Sequence, residues 1–121
     1  MIIYVAVMAI IYIIFGLVSL VSIEKAFAFF NIRFSKTSNA LNEFQAAYGG
    51  INTIIGILGL ISIYYTYLIE HFLWIILITN LGYALGRAYA YLIGNKPTPK
   101  LMIIWCGEIV IVILSALFLL Y

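Results

Sequence analysis

Charged side chains are scarce in this sequence of 121 residues, of which 8% are charged and 67% are hydrophobic. Soluble domains average about 25% charged residues, so this chain could not cover a water-facing surface with polar groups. Its mean hydropathy of +1.22 is typical of a chain whose solvent is lipid. We therefore predict an integral membrane protein, and the length allows one domain, residues 1–121.

Aspartate is absent, and the chain has one histidine and one cysteine, Cys106. These absences exclude Ser-His-Asp triads, Cys/His zinc sites, Asp-rich magnesium sites and an internal disulfide. The net charge of +2 is small, and the basic residues are not clustered as they are in nucleic-acid-binding proteins. We therefore expect no metal, no cofactor, no nucleic-acid partner and no enzymatic activity.

Four apolar runs are each long enough, at about 1.5 Å per residue, to cross the roughly 30 Å hydrocarbon core. They cover approximately residues 2–23, 43–67, 72–93 and 100–121. A signal peptide is the alternative for the first run, but no basic residue precedes it and no A-x-A site ends it, so we expect a retained span. The pattern predicts an all-α fold, an antiparallel four-helix bundle in the membrane.

The first connection, residues 24–42, mixes basic and aromatic side chains. Its members are Lys25, Arg33 and Lys36 among Phe27, Phe29, Phe30, Ile32 and Phe34. This composition favours a segment that lies in the headgroup region on the cytoplasmic side. An aromatic-rich loop packed on the helices is equally compatible with it. The second connection is expected to be tight, residues 68–72, with Glu70 and His71.

The basic residues predict the orientation of the four spans. The first and third loops contain five of them, Lys25, Arg33, Lys36, Lys96 and Lys100, and the opposite side contains none. By the positive-inside rule these two loops face the cytoplasm, and the N- and C-termini face outside.

Small residues at helical spacing predict where helices approach closely. On the first span they are Ala6, Ala9, Gly16 and Ser19; on the second, Ala46 with Gly50, and Gly49, Gly56 and Gly59; on the third, Gly82 and Gly86. Gln45 and Asn52 share the broad face of the second-span glycines, so we expect their amides to turn inward. Asn42 and Gln45 have the spacing of a capping box, which predicts that the second helix begins near Asn42.

Two charged residues lie inside the later spans. Arg87 is seven positions before Gly94 and Glu108 is eight positions after Lys100, so both lie roughly 10 to 12 Å inside their helices. Because a charge in hydrocarbon costs at least about 2.5 kcal/mol, we predict that the two form an ion pair. Alternatively, Arg87 extends to the headgroups and Glu108 is protonated. The other polar candidates for this network or a ligand site are Gln45, Tyr48, Asn52 and Asn80.

Three landmarks follow one another along the chain: Ala47-Tyr48-Gly49-Gly50, Gly86-Arg87 and Glu108. From about Glu43 to the end, and more weakly in the first helix, the chain resembles an uncharacterised bacterial family of small four-helix membrane proteins. The resemblance implies a four-helix bundle in a bacterial cytoplasmic membrane and brings no activity. Small multidrug-resistance transporters have a similar length and four helices, but their coupling carboxylate is in the first helix, which has none here.

Three functions are compatible with these observations. The first is a membrane protein without catalytic machinery, either an accessory or assembly subunit or a binder of a lipid-like ligand. The second is a proton-coupled small-molecule transporter that acts as a dimer, with Glu108 titrating. The third is a membrane enzyme acting on lipid, which we place last because Glu43, His71 and Glu108 lie at different depths. Expected partners are the lipid bilayer, a bound lipid, and a homodimer or larger membrane complex.

Overall fold

The structure is a computed structural model that describes residues 1–33 and 37–121. The regular elements of this part of the chain are all helical, as predicted. In order they are α1 (Ile2–Val21), α2 (Ile23–Phe29), α3 (Ser38–Phe44), a π-helix (Gln45–Gly50), α4 (Ile51–Tyr64), a 3₁₀ turn (Thr66–Leu68), α5 (Ile69–Leu92) and α6 (Pro99–Leu120).

Four helical segments are long and apolar enough to cross a membrane, the same number as the apolar runs identified in the sequence. They are Ile2–Val21, Ser38–Tyr64, Thr66–Leu92 and Pro99–Leu120. The chain divides into two compact units, Met1–Ile69 and Glu70–Tyr121. The arrangement of all four spans as one antiparallel bundle domain stays a prediction.

The second span begins earlier than expected, and the prediction of a capping box at Asn42 is wrong. Thr37 is the N-cap: its backbone is extended (φ −72°, ψ 151°) and its Oγ1 accepts a hydrogen bond of 3.2 Å from the N–H of Ala40. Asn42 is inside α3, because the threonine already satisfies a free N–H of the first turn. The span then continues through the π-helix into α4.

We expect Thr37→Ala to lower the free energy of unfolding by about 1 kcal/mol, because the first turn of α3 would lose the hydrogen bond that Thr37 Oγ1 accepts from Ala40 N. The measurement is the thermal unfolding midpoint in mild detergent, followed by circular dichroism. Ser38→Ala is the matched control, since Ser38 is exposed and is the first residue inside the helix. Equal midpoints for the two variants would contradict the assignment of the cap.

The second connection also differs from the prediction of residues 68–72. Tyr65 leaves the helical conformation (φ −107°, ψ 85°), and the 3₁₀ turn Thr66–Leu68 leads directly into α5. Glu70 and His71 therefore lie in the first turn of α5 rather than in a loop. The boundary has no glycine or proline to mark it; the N–H of Leu68 bonds to Tyr65 O (2.9 Å) and closes the turn.

In the first unit, α1 packs antiparallel against α4 at very short range. A Cβ on Gly56 would lie 2.7 Å from Ile13 N and 2.8 Å from Ala9 O, and one on Gly16 would lie 2.5 Å from Thr53 N. Residues later in α1 contact residues earlier in α4, so the two helices run in opposite directions. The predicted small-residue faces of the first two spans are confirmed at Ala9, Gly16, Ser19, Gly49, Gly56 and Gly59, all of which are buried.

Not every small-residue pair forms such a contact. Ala46 is exposed, and a Cβ on Gly50 would touch nothing within 4 Å. In the second unit, Gly82 and Gly86 are exposed and equally open. The close approach expected at these two spacings is therefore not formed within either unit.

The segment after α1 contributes aromatic side chains to the first unit. Ser22 interrupts the helix (φ −152°), and α2 follows with Ala26 and Phe27 buried. The ring of Phe27 packs edge-to-face on Phe44 and Tyr48, with centroids 5.0 and 5.4 Å away, and Phe15 does so on Phe30 at 5.4 Å. These contacts favour a segment packed on the helices, although Phe29 and Arg33 are exposed. Phe34 and Lys36, for which an interfacial position was predicted, are not among the described residues.

Candidate functional site: the Arg87–Glu108 ion pair

The second unit is a hairpin whose turn is specified by local sequence. Gly94 adopts φ +100°, a conformation that a glycine allows without strain, and α5 ends just before it. Thr98 then caps α6 through a hydrogen bond of 3.4 Å from Leu101 N to its Oγ1, with Pro99 at the first helical position. The helices α5 and α6 therefore run antiparallel. Residues that precede the turn in α5 lie beside residues that follow it in α6.

Arg87 of α5 and Glu108 of α6 form the predicted ion pair. Nε of Arg87 donates to Glu108 Oε2 (2.9 Å) and Oε1 (3.1 Å), and Nη2 donates to Oε1 (3.0 Å). This side-on arrangement engages both carboxylate oxygens, and such bidentate, charge-assisted hydrogen bonds are stronger than bonds between neutral groups. Glu108 is buried, with 9% of its side chain exposed, whereas 29% of the Arg87 side chain is exposed.

The layers on either side of the ion pair differ in character. Towards the turn, one helical turn from the pair, the rings of Tyr91 and Trp105 are in contact with centroids 6.2 Å apart. In the opposite direction Asn80 and Ser115 are buried, and Asn80 Nδ2 donates to the backbone oxygen of Ile76 (2.8 Å). The ion pair therefore has an aromatic contact on the side of the loop, and on the other side each helix carries a buried polar residue seven positions from its member of the pair.

The other predicted network residues belong to the first unit and find backbone partners there. Gln45 Nε2 donates to Leu20 O (3.1 Å), and Asn52 Nδ2 donates to Tyr48 O (2.6 Å). Asn52 is buried, as predicted. The ring of Tyr48 packs on Phe27 and Phe15. The proposed hydrogen bonds from these three residues to the ion pair stay a prediction.

A π-helix precedes α4 in the second span. It connects residues five apart, as in the bond from Ile51 N to Ala46 O. The side chains of Asn52 and Thr53 supply donors to the carbonyls of Tyr48 and Gly49, at 2.6 and 2.8 Å. These amide and hydroxyl groups stabilise the local backbone, which was not predicted from the sequence.

Sequence reasoning missed the partnership of Tyr91 with Trp105. The signal was present, because Tyr91 follows Arg87 by four residues and Trp105 precedes Glu108 by three, so each shares a helix face with one member of the pair. No group of three or more His, Cys, Asp or Glu side chains that could hold a metal ion occurs in the described ranges 1–33 and 37–121. The chemical groups of the site are the guanidinium of Arg87 and the carboxylate of Glu108, so it can hold charged groups and donate hydrogen bonds.

Comparisons with known proteins connect these features to a family. Searches of curated proteins and of solved structures found no match. Residues 1–119 match the family described as Domain of unknown function (DUF4345). The match extends through the first helix, where the resemblance was expected to be weaker. Because it covers nearly the whole sequence, this chain belongs to the family Domain of unknown function (DUF4345).

Proposed function

We propose that this protein is an integral membrane protein without catalytic machinery that acts by binding. In this proposal the four apolar helices form an antiparallel bundle in a bacterial cytoplasmic membrane, with both termini outside. The length and apolar composition of the spans support the membrane location, and the one-sided distribution of basic residues supports the orientation. The bound partner is a lipid-like ligand or, for an accessory subunit, another membrane protein.

The observation that carries this proposal is the Arg87–Glu108 ion pair. Glu108 is the only acidic residue within the two helices beyond the first turn of α5, and its two oxygens accept three hydrogen bonds from Arg87. A carboxylate held in this way is neutralised by a fixed cation, as a structural pair in a membrane requires. Both of its oxygens are thereby engaged, which favours a structural over a catalytic role.

Proton-coupled transport is the second candidate, because a carboxylate within an apolar span is by default a functional hypothesis. In that case Glu108 would release Arg87 and take up a proton during each cycle, and a dimer would supply the pathway that one small unit lacks. The aromatic layer at Tyr91 and Trp105 lies between the pair and the loop.

A proton-flux assay in liposomes separates the two functions. For the proposed function we expect the reconstituted wild-type protein to give no more flux than empty liposomes when a pH gradient is imposed. Glu108→Gln and Glu70→Gln should be indistinguishable from it. Glu70 is the matched control, since it is an exposed acid in the first turn of the same helical hairpin. Flux that Glu108→Gln abolishes and Glu70→Gln preserves would establish transport instead.

A further inference from the structure

We propose that the outer edge of the Arg87 guanidinium binds the phosphate of an anionic lipid headgroup, with Tyr91 and Trp105 against the same headgroup. This inference rests on the proposed binding function and names its ligand. The structural basis is a guanidinium that is only partly engaged, on a helix of the second unit that is long and apolar enough to cross a membrane.

Arg87 has hydrogen-bonding capacity beyond its ion pair. Its bonds to Glu108 use Nε and one side of Nη2, and Nη1 has no acceptor among the described residues of this unit. A guanidinium carries five N–H donors in a fixed planar fork, so side-on pairing leaves the far edge free for a second acceptor. The Arg87 side chain as a whole is 29% exposed, so it is not enclosed by the protein.

An N–H group that faces hydrocarbon without an acceptor costs several kcal/mol, so the free edge of Arg87 requires a partner. Arg87 lies five residues before Leu92, the end of α5, which is about 7.5 Å along the helix axis. The loop end of α5 is therefore close to the guanidinium even while Glu108 holds it, and in the proposed topology this end lies in the headgroup region. The acceptors available there in quantity are the phosphate oxygens of lipids.

The surroundings of Arg87 match an anionic headgroup. Tyr91 and Trp105 form the next layer towards the turn, and aromatic side chains with one polar group are suited to the boundary between acyl chains and headgroups. The turn itself carries Lys96, and Lys100 opens α6, while residues 94–100 contain no acid. Since Arg87 and Glu108 neutralise each other, these lysines supply the positive charge that favours an anionic over a zwitterionic lipid.

Native mass spectrometry of the full-length protein tests the inference directly. The protein is equilibrated in mixed micelles with phosphatidylglycerol or, separately, with phosphatidylcholine, and the retained lipid is counted. We expect retention of phosphatidylglycerol by the wild type, at least tenfold less by Arg87→Gln, and little retention of phosphatidylcholine. Arg33→Gln is the matched control and should retain the lipid, because Arg33 is exposed and belongs to the first unit. Equal retention by the two variants would overturn the proposal.

Two further variants keep the test valid if Arg87→Gln does not fold. Glu108→Gln leaves the guanidinium in place and removes the competing charge, so retention should be equal to or greater than that of the wild type. Trp105→Phe keeps a ring but removes the indole N–H, and we expect about a two- to fivefold loss of retention. Loss of lipid by Glu108→Gln would show that an intact pair, rather than contact with Arg87, governs binding, and would overturn the proposal.

The source of the phosphate is decided by competition. Excess inorganic phosphate should not displace phosphatidylglycerol if acyl chains contribute to binding, whereas displacement would indicate a soluble phosphate ligand and would overturn the lipid assignment. Failure here is distinguishable from failure of the proposed function. Absence of retained lipid together with absence of proton flux would refute this inference alone, and flux that depends on Glu108 would refute the proposed function.

Discussion

Arg87→Leu is expected to lower the free energy of unfolding by about 3–5 kcal/mol, the largest effect of any single polar substitution in the second unit. The reason is the fate of Glu108, which is buried and would lose all three of its hydrogen bonds from the guanidinium. An uncompensated carboxylate in an apolar environment must be protonated or must draw in water. Either response costs stability. The measurement is the thermal or denaturant midpoint of the purified protein in mild detergent.

The double variant Arg87→Leu/Glu108→Leu is the critical comparison. It removes both charges, so it should be less destabilised than Arg87→Leu alone, since burying an intact apolar pair leaves no charge unpaired. Arg33→Leu, an exposed arginine, should change the midpoint little. The idea of a buried, mutually dependent pair is refuted if the single and double variants have the same midpoint as the wild type.

Gly56→Ala should destabilise the first unit by roughly 1–3 kcal/mol, although alanine is the better helix former. The added methyl group would lie 2.7 Å from Ile13 N and 2.8 Å from Ala9 O, and backbone atoms cannot turn aside as a flexible side chain can. The two helices would have to separate, with loss of packing along their length. The midpoint of thermal unfolding in detergent measures the effect.

Gly82→Ala is the matched control because a Cβ there would meet no atom of its own unit within 4 Å. At such an open position within a helix, replacing glycine by alanine is expected to stabilise by up to about 1 kcal/mol. Opposite signs are therefore expected for the same chemical change at the two positions. Equal stabilisation by both would show that α1 and α4 are not in close contact at Gly56.

The sequence was sufficient to predict the features that follow from the solvent. Hydropathy and length identified all four spans, and depth alone was sufficient to pair Arg87 with Glu108, because two opposite charges in hydrocarbon have few alternatives. The face that carries Gly56 and Asn52 was also correctly predicted. In each of these cases one physical requirement dominates the outcome. Polar groups must be kept away from lipid, and helices that pack closely must have small residues at their contact.

The features that were missed depend on competition between near-equal local choices. Thr37 and Asn42 are both good N-caps, and only the folded chain shows that the earlier one is used. The break at Tyr65 has no glycine or proline to mark it, so the tyrosines were interpreted as part of the helix. Small-residue spacing is likewise ambiguous: it marks a close contact at Gly56 and an open surface at Gly82.

The π-helix between α3 and α4 has a consequence for insertions and deletions in this part of the chain. Such an element is equivalent to one extra residue in an α-helix, and each residue of an α-helix turns the chain by about 100°. A variant shortened by one residue within Gln45–Gly50 would wind as α-helix and keep Phe44 in its present direction, because the wide π-turn already absorbs the extra residue. The same six residues wound as uninterrupted α-helix would rotate everything before them by about 100° relative to α4, and Phe44 would then point away from Phe27. The π-helix therefore sets which rings meet.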